Sequence, residues 1–355
     1  MVWLISLPIW VLFCSTLLPK RAETPKRAKT YMVLCSLALI FVLGLRSIYT
    51  GSMDTYMYSL AFDLAKKYSL VEYLTAKDCF EGFFLLSEVG SHVYTWLVAH
   101  VFSHVQWFVF LSSAIIVCLT AKFISRHSED ATVSWIVFIC LGSMTFAMNG
   151  MRQAIAMSIC LLAYGYAKDK HLVRFLLTVA LAVLFHKSAV IFALVYLMRG
   201  MRLNAKSFIL LTAGITLFLA FADRLAFLYD SMTGEDYAAG ESFDSGGVST
   251  IIVYLLAIVC ILVFCKRLRE PQGLFPLSLI LVGFSLYLGR FLSTQIYERI
   301  SYFFAYFLMI GFPTVFRDMN KRFASLVRMG FLLVCVLLFA YRISTGSFAN
   351  FTMFW

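Results

Sequence analysis

Charge is what this sequence has least of. Only 14% of its 355 residues are Asp, Glu, Lys or Arg, and 61% are hydrophobic. A soluble domain carries about a quarter charged residues, so an ordinary soluble globular chain is excluded. Proline is scarce at six residues, glycine stands at 19, and no tract is repetitive, which argues against a disordered or fibrous protein. The nine cysteines include no CxxC pair. Most of them, such as Cys35, Cys118, Cys160 and Cys335, sit inside apolar runs, so neither a disulfide framework nor a zinc ribbon is expected. The motifs HExxH and GxSxG and the Walker lysine are missing too, and no metal-ligand spacing or nucleotide loop takes their place. The net charge of +11 does not indicate nucleic acid. Its lysines and arginines stand in small clusters between apolar runs, as membrane topology signals do.

What the sequence has is long apolar runs. They predict an all-α, polytopic integral membrane protein, one transmembrane domain over residues 1–355 with about twelve helices. The predicted spans are 2–18, 31–48, 93–119, 132–148, 153–167, 172–185, 188–198, 207–222, 250–265, 274–292, 300–316 and 325–342. The first lacks a basic leader and a small-residue cleavage site, so it reads as a retained span. Five bases between Lys20 and Lys29 put that loop in the cytoplasm and the N-terminus outside. Alternation then places the loops 122–130, 168–174, 199–206, 266–270 and 317–328 inside, and both termini outside. The six inside loops hold 20 of the 30 bases.

The stretch 172–198 tests that drawing. Read as one helix, it buries His186 and Lys187 in mid-membrane, a costly placement. It also reverses every later span. Basic clusters flank it on both sides, so two short helices in a hairpin fit better. Residues 172–185 rise about 21 Å, short of a hydrocarbon core of roughly 30 Å. The tip at 185–188 then lies below the outer surface, where polar backbone requires a wet, protein-walled cavity. Two longer segments fall outside: 49–91, with an amphipathic interfacial helix near Asp54–Lys67, and the acidic loop 223–249, which reads equally as a lid or a connector.

The costly residues collect at the outer span ends: Arg46, Asp54 and Tyr58; Glu88, His92 and Tyr94; Arg152 and Gln153; His186 and Ser188; Arg290, Glu298 and Arg299. Arg152 follows Asn149-Gly150 in the first turn of a helix, whose N-terminus is already positive. A compensating anion is expected there, either a ligand phosphate or an internal carboxylate such as Asp54, Glu88 or Glu298. Arg46, Arg152, Arg290 and Arg299 stand against the topological charge preference, and planar guanidinium suits phosphate. His186 is a candidate proton acceptor.

Three runs, Asn-Gly-Met-Arg-Gln-Ala-Ile-Ala at 149–156, Leu-Leu-Ala-Tyr at 161–164 and Phe-His-Lys-Ser-Ala at 185–189, resemble the EpsG-type branch of the Wzy-like bacterial polysaccharide polymerases. Arg46 with Asp54 and Tyr58, the stretch Glu88–Tyr94, and Glu-Arg-Ile-Ser-Tyr-Phe at 298–303 fit the same order. One departure is Glu88-Val89-Gly90, where Glu-Pro is the family's expectation. The resemblance implies a bacterial inner-membrane enzyme, with GT-C membrane glycosyltransferases as an architectural parallel. Its substrate would be an undecaprenyl-pyrophosphate-linked oligosaccharide, joined at the outer face without metal, nucleotide or other cofactor. A flippase and a chain-length regulator are the implied protein partners. Under it, His186, Asp54 and Arg152 are the catalytic candidates, while Arg46, Tyr58, Glu88, Gln153, Ser188, Arg290 and Arg299 are the substrate-binding ones. A flippase and a polysaccharide ligase stay open as alternatives.

Overall fold

The computed structural model describes residues 1–18, 25–50, 53–75, 88–199, 214, 221, 224, 247–264, 274–289 and 294–355. Helix is the only extended secondary structure among them. In chain order the helices are α1 (Val2–Leu17), α2 (Pro25–Gly44), α3 (Met53–Ala65), α4 (Leu70–Thr75), α5 (Val89–Val101), α6 (Gln106–His127), α7 (Ala131–Cys140), α8 (Ser143–Asn149), α9 (Met151–Lys168), α10 (Leu172–Phe185), α11 (Val195–Met198), α12 (Gly247–Phe264), α13 (Leu274–Leu288), α14 (Thr294–Ala305), α15 (Leu308–Asp318) and α16 (Lys321–Thr345). A 3-10 segment, Lys187–Leu194, leads into α11. All of the predicted span 207–222 but the isolated residues 214 and 221, most of the loop 223–249, and Arg290 lie outside the described residues.

Three of these helices, Lys26–Gly44, Gln106–His127 and Arg322–Thr345, are long and apolar enough to cross a membrane. Five crossings result when the bent pairs 131–149 and 297–318 are each counted as one. The other apolar helices, including Val2–Leu17 and Leu172–Phe185, fall short of the roughly 20 residues of a full crossing. Among the described residues, three to five helices thus meet the length of a full crossing, against the roughly twelve helices expected.

Three predicted spans are broken. The span 93–119 is two helices, α5 and α6: Phe102 turns extended, φ −121° and ψ 139°, and ends the first, and His104 Nδ1 accepts the Gln106 amide at 3.1 Å where the second begins. Gln106 then ties the new helix to the end of α2, donating to the carbonyls of Gly44 at 2.6 Å and Arg46 at 3.0 Å. The span 132–148 bends by 50° between α7 and α8, where Gly142 adopts φ +101°, a left-handed position natural to glycine at a helix end. The span 300–316 bends by 43° between α14 and α15.

The hairpin at 172–198 forms as two antiparallel legs. Tyr196 Oη donates to the Lys170 carbonyl across its base at 3.3 Å, and Phe175 packs on Phe192 and Tyr196. The return leg is not the α-helix expected from 188 to 198; its first eight residues are 3-10. The reason is length. Fourteen α residues rise about 21 Å, and eight 3-10 plus four α residues rise about 22 Å. The tighter helix lets a shorter leg match the outgoing one.

The bundle has two chemically distinct ends. At one, Arg328 pairs with Asp130 at 2.7 Å and Arg317 with Glu129 at 2.8 Å, while Tyr31 Oη donates to Thr132 at 3.1 Å. These are loops predicted to lie inside. At the other end both termini meet the end of α2. The Met1 ammonium donates to the Phe351 carbonyl at 3.1 Å, and the Ser47 and Phe354 amides bond the Thr352 and Leu45 carbonyls at 3.0 Å each. One main core fills the bundle. A second, built on Tyr58, Phe62, Tyr73, Val98 and Phe108, seats α3 against α5 and α6.

Candidate functional site

At the end that carries the termini, Glu88 sits just before α5 with its side chain 8% exposed. Its two oxygens face different partners. Arg152 Nη1 donates to Oε2 at 2.6 Å. His186 Nδ1 lies 2.6 Å from Oε1, and the Lys187 amide donates to the same oxygen at 3.3 Å. Each partner arrives for a local reason. Arg152 is in the first turn of α9, which starts at Gly150 without a side-chain cap, and Glu88 supplies the negative charge that this turn requires. His186 caps α10 in an extended conformation, φ −157° and ψ 119°, which turns the chain and presents the Lys187 amide. Burial pushes the Glu88 carboxyl up, but Arg152, His186 and the Lys187 amide outweigh it and hold the group well below the usual carboxylate range.

Helix α3 supplies the next layer. The Arg152 guanidinium lies 5.7 Å from the centre of the Tyr58 ring. Asp54, one turn earlier on the same helix, makes no contact-distance ion pair among the described residues. It does lie in the field of Arg299, Arg152 and His186. Burial raises its carboxyl, and these three side chains pull back only part of the rise. α14 closes the site. Gln153 donates through Nε2 to the Arg299 carbonyl at 2.6 Å, which fixes α14 on α9. Glu298 is buried, and Tyr302 donates to it at 3.4 Å. The Ser188 hydroxyl is buried near the hairpin tip and has no hydrogen-bond partner among the described residues.

The structure thus brings Asp54, Tyr58, Glu88, Arg152, Gln153, His186, Ser188 and Arg299 to one end of the bundle. Arg46 is different. It is 1% exposed, and its Nη1 and Nη2 donate to the carbonyls of Leu43 at 2.7 Å and Met148 at 2.6 Å. Through these two nitrogens it clamps the end of α2 to the α8–α9 turn. Thr55 donates to the same Met148 carbonyl at 3.3 Å, a link that no sequence signal announced. Nor did the sequence show Glu88 as the centre, because its partners are 64 and 98 positions away.

Fold and site together define a polytopic helical membrane protein with a charged, buried polar cluster at one end of its bundle. The chain belongs to the EpsG family, whose model matches residues 29–354. That family is associated with Wzy-like polysaccharide polymerases. No curated protein matches the chain, and no solved structure does, so the GT-C parallel rests on no structural match.

Proposed function

We propose that this protein polymerises undecaprenyl-pyrophosphate-linked oligosaccharide repeat units into a surface polysaccharide by glycosyl transfer at the outer face of the bacterial inner membrane. The observation that carries the reading is that Asp54, a carboxylate with no contact-distance ion pair among the described residues, lies in the field of Arg152, Arg299 and His186. Polymerisation needs both halves of that set. The acceptor sugar hydroxyl attacks C1 of the growing chain; the new C1–O bond forms as the bond from C1 to the lipid pyrophosphate breaks. The hydroxyl proton passes to Asp54. Charge that develops on the leaving pyrophosphate meets Arg152 and Arg299, with Arg290 assigned to the same role. Glu88 positions Arg152 and His186, and Tyr58, Gln153 and Ser188 contact sugar.

The one-sided placement of these groups favours an enzyme over a flippase, which needs polar groups along its whole path. Chromosomal Asp54→Asn, Arg152→Ala and His186→Ala alleles test the reading. Each is expected to lower polymer yield at least ten-fold and leave single repeat units on the lipid or its acceptor. Unchanged length and yield at normal protein abundance would remove the assignments. Loss of exported units would instead indicate a flippase, and long unattached chains a ligase.

A further inference from the structure

A cavity lies at the opposite end of the molecule from Glu88. It is a groove of about 640 Å³ bounded by α1, α2, α6 and the turn before α7. Its length follows one face of α2, through Lys29, Val33, Leu37 and Ile40, and the facing side of α6, through Lys122 and Cys118. From Lys29 to Ile40 is 11 residues, or about 16 Å along the helix. The groove has a charged mouth and an apolar length. Lys29 and Lys122 are exposed at the mouth, and neither has an ion-pair partner among the described residues. The two acids at the mouth are already neutralised from outside the groove: Glu129 by Arg317 at 2.8 Å and Asp130 by Arg328 at 2.7 Å. Asp130 also accepts the Thr132 and Val133 amides as the cap of α7. Deeper in, Val33 and Leu37 are half exposed, and the Cys118 thiol is open.

We propose that this groove binds one acidic phospholipid from the leaflet that borders the basic loops. The anionic headgroup meets Lys29 and Lys122, and one acyl chain runs between α2 and α6 past Leu37, Ile40 and Cys118. A zwitterionic lipid offers the same chain but no net charge to the two lysines. Juxtamembrane lysines select anionic headgroups in this way. An apolar partner helix would fill the apolar length but bring no negative charge to the two lysines at the mouth. The binding is independent of the polymerase reading, since it uses none of the residues around Glu88.

The test uses the full chain, purified in detergent and exposed to phosphatidylglycerol or phosphatidylethanolamine of matched acyl composition. Native mass spectrometry reads the retained lipid, and maleimide labelling reads Cys118. The expected result is one phosphatidylglycerol retained in preference to phosphatidylethanolamine and slower labelling of Cys118 with phosphatidylglycerol alone. Lys29→Ala with Lys122→Ala should weaken that retention about ten-fold, and Lys29→Arg with Lys122→Arg should restore it. Leu37→Trp, which keeps both lysines and fills the groove, should abolish retention even if the alanine pair fails to fold. Equal retention of the two lipids, or retention indifferent to the folded variants, overturns the proposal. So does a stable dimer that covers the groove and excludes lipid.

Discussion

Glu88 and Asp54 are two carboxylates at the same end of the bundle with opposite environments. Glu88 has a guanidinium on one oxygen and an imidazole and an amide on the other. Its folded-state affinity for protons is therefore lowered, and its contribution to stability is present above the ordinary carboxylate pKa and is lost as pH falls. Glu88→Gln removes the charge that pairs Arg152, and breaking a buried pair by removing one partner costs about 3 kcal/mol. Thermal unfolding in detergent should show that loss at pH 7, and the gap to wild type should begin to narrow only as pH falls through the ordinary carboxylate range, about pH 4, and shrink further below it. Asp54 has the opposite sign. Its raised carboxyl makes ionisation unfavourable in the fold, so stability rises as it protonates. Asp54→Asn should unfold at a higher temperature than wild type at pH 7, converge with it at low pH, and make no polymer. A variant that is more stable and inactive separates a chemical role from a structural one. If Asp54→Asn is instead less stable at pH 7, the carboxylate is a structural partner. Polymer yield in wild-type membranes should also fall with acidity sooner than an unperturbed Asp would allow, because the base must be ionised.

At the scale of elements, the site depends on α5 meeting α10 closely, since Glu88 precedes one and His186 follows the other. Gly90 is where they touch. A methyl group there would stand 2.8 Å from Cβ of Leu184 and 3.0 Å from its carbonyl oxygen, so backbone would have to move. Gly90→Ala should cost about 1–3 kcal/mol by overpacking and lower polymer yield by shifting Glu88 from His186. Gly330→Ala on α16 is the control. Nothing lies within 4 Å of its added carbon, and alanine in a helix interior gains up to about 1 kcal/mol over glycine. Comparison of the two unfolding midpoints decides the matter; equal effects would mean that Gly90 is not a contact point. The same close approach gives a local reason for glycine at 90, after a residue that departs from the family's Glu-Pro expectation. The hairpin was legible as two legs, because Lys187 is too costly for mid-membrane. Its 3-10 return leg was not legible, because hydrophobic pattern fixes which residues face lipid and not the rise per residue that matches one leg to the other.

Across the whole molecule, the two ends differ in chemistry, and the drawing of basic loops inside assigns each end a compartment. Single cysteines at Asn350→Cys and Lys26→Cys test that assignment in a background whose native thiols have been blocked. A membrane-impermeant maleimide added to intact cells stripped of outer barriers should label Asn350→Cys and spare Lys26→Cys until the membrane is opened. The reverse pattern would invert the molecule and place Glu88 in the cytoplasm, away from any exported repeat unit.

By itself the sequence determined that the chain is helical and membrane-bound and that Arg152 needs an anion at a helix start, and it led to the expectation that the basic loops share one side. These are local quantities, set by apolar run length, charge between runs and the polarity of a helix terminus. Tertiary structure alone decided which anion answers Arg152, because Glu88 is 64 positions away and three carboxylates were eligible. It also separated Arg46, whose guanidinium clamps two backbone carbonyls, from Arg152 and Arg299 around the candidate site. Side chains that are identical in sequence differ in task according to what stands within 3 Å of them, and that distance exists only once distant segments have packed.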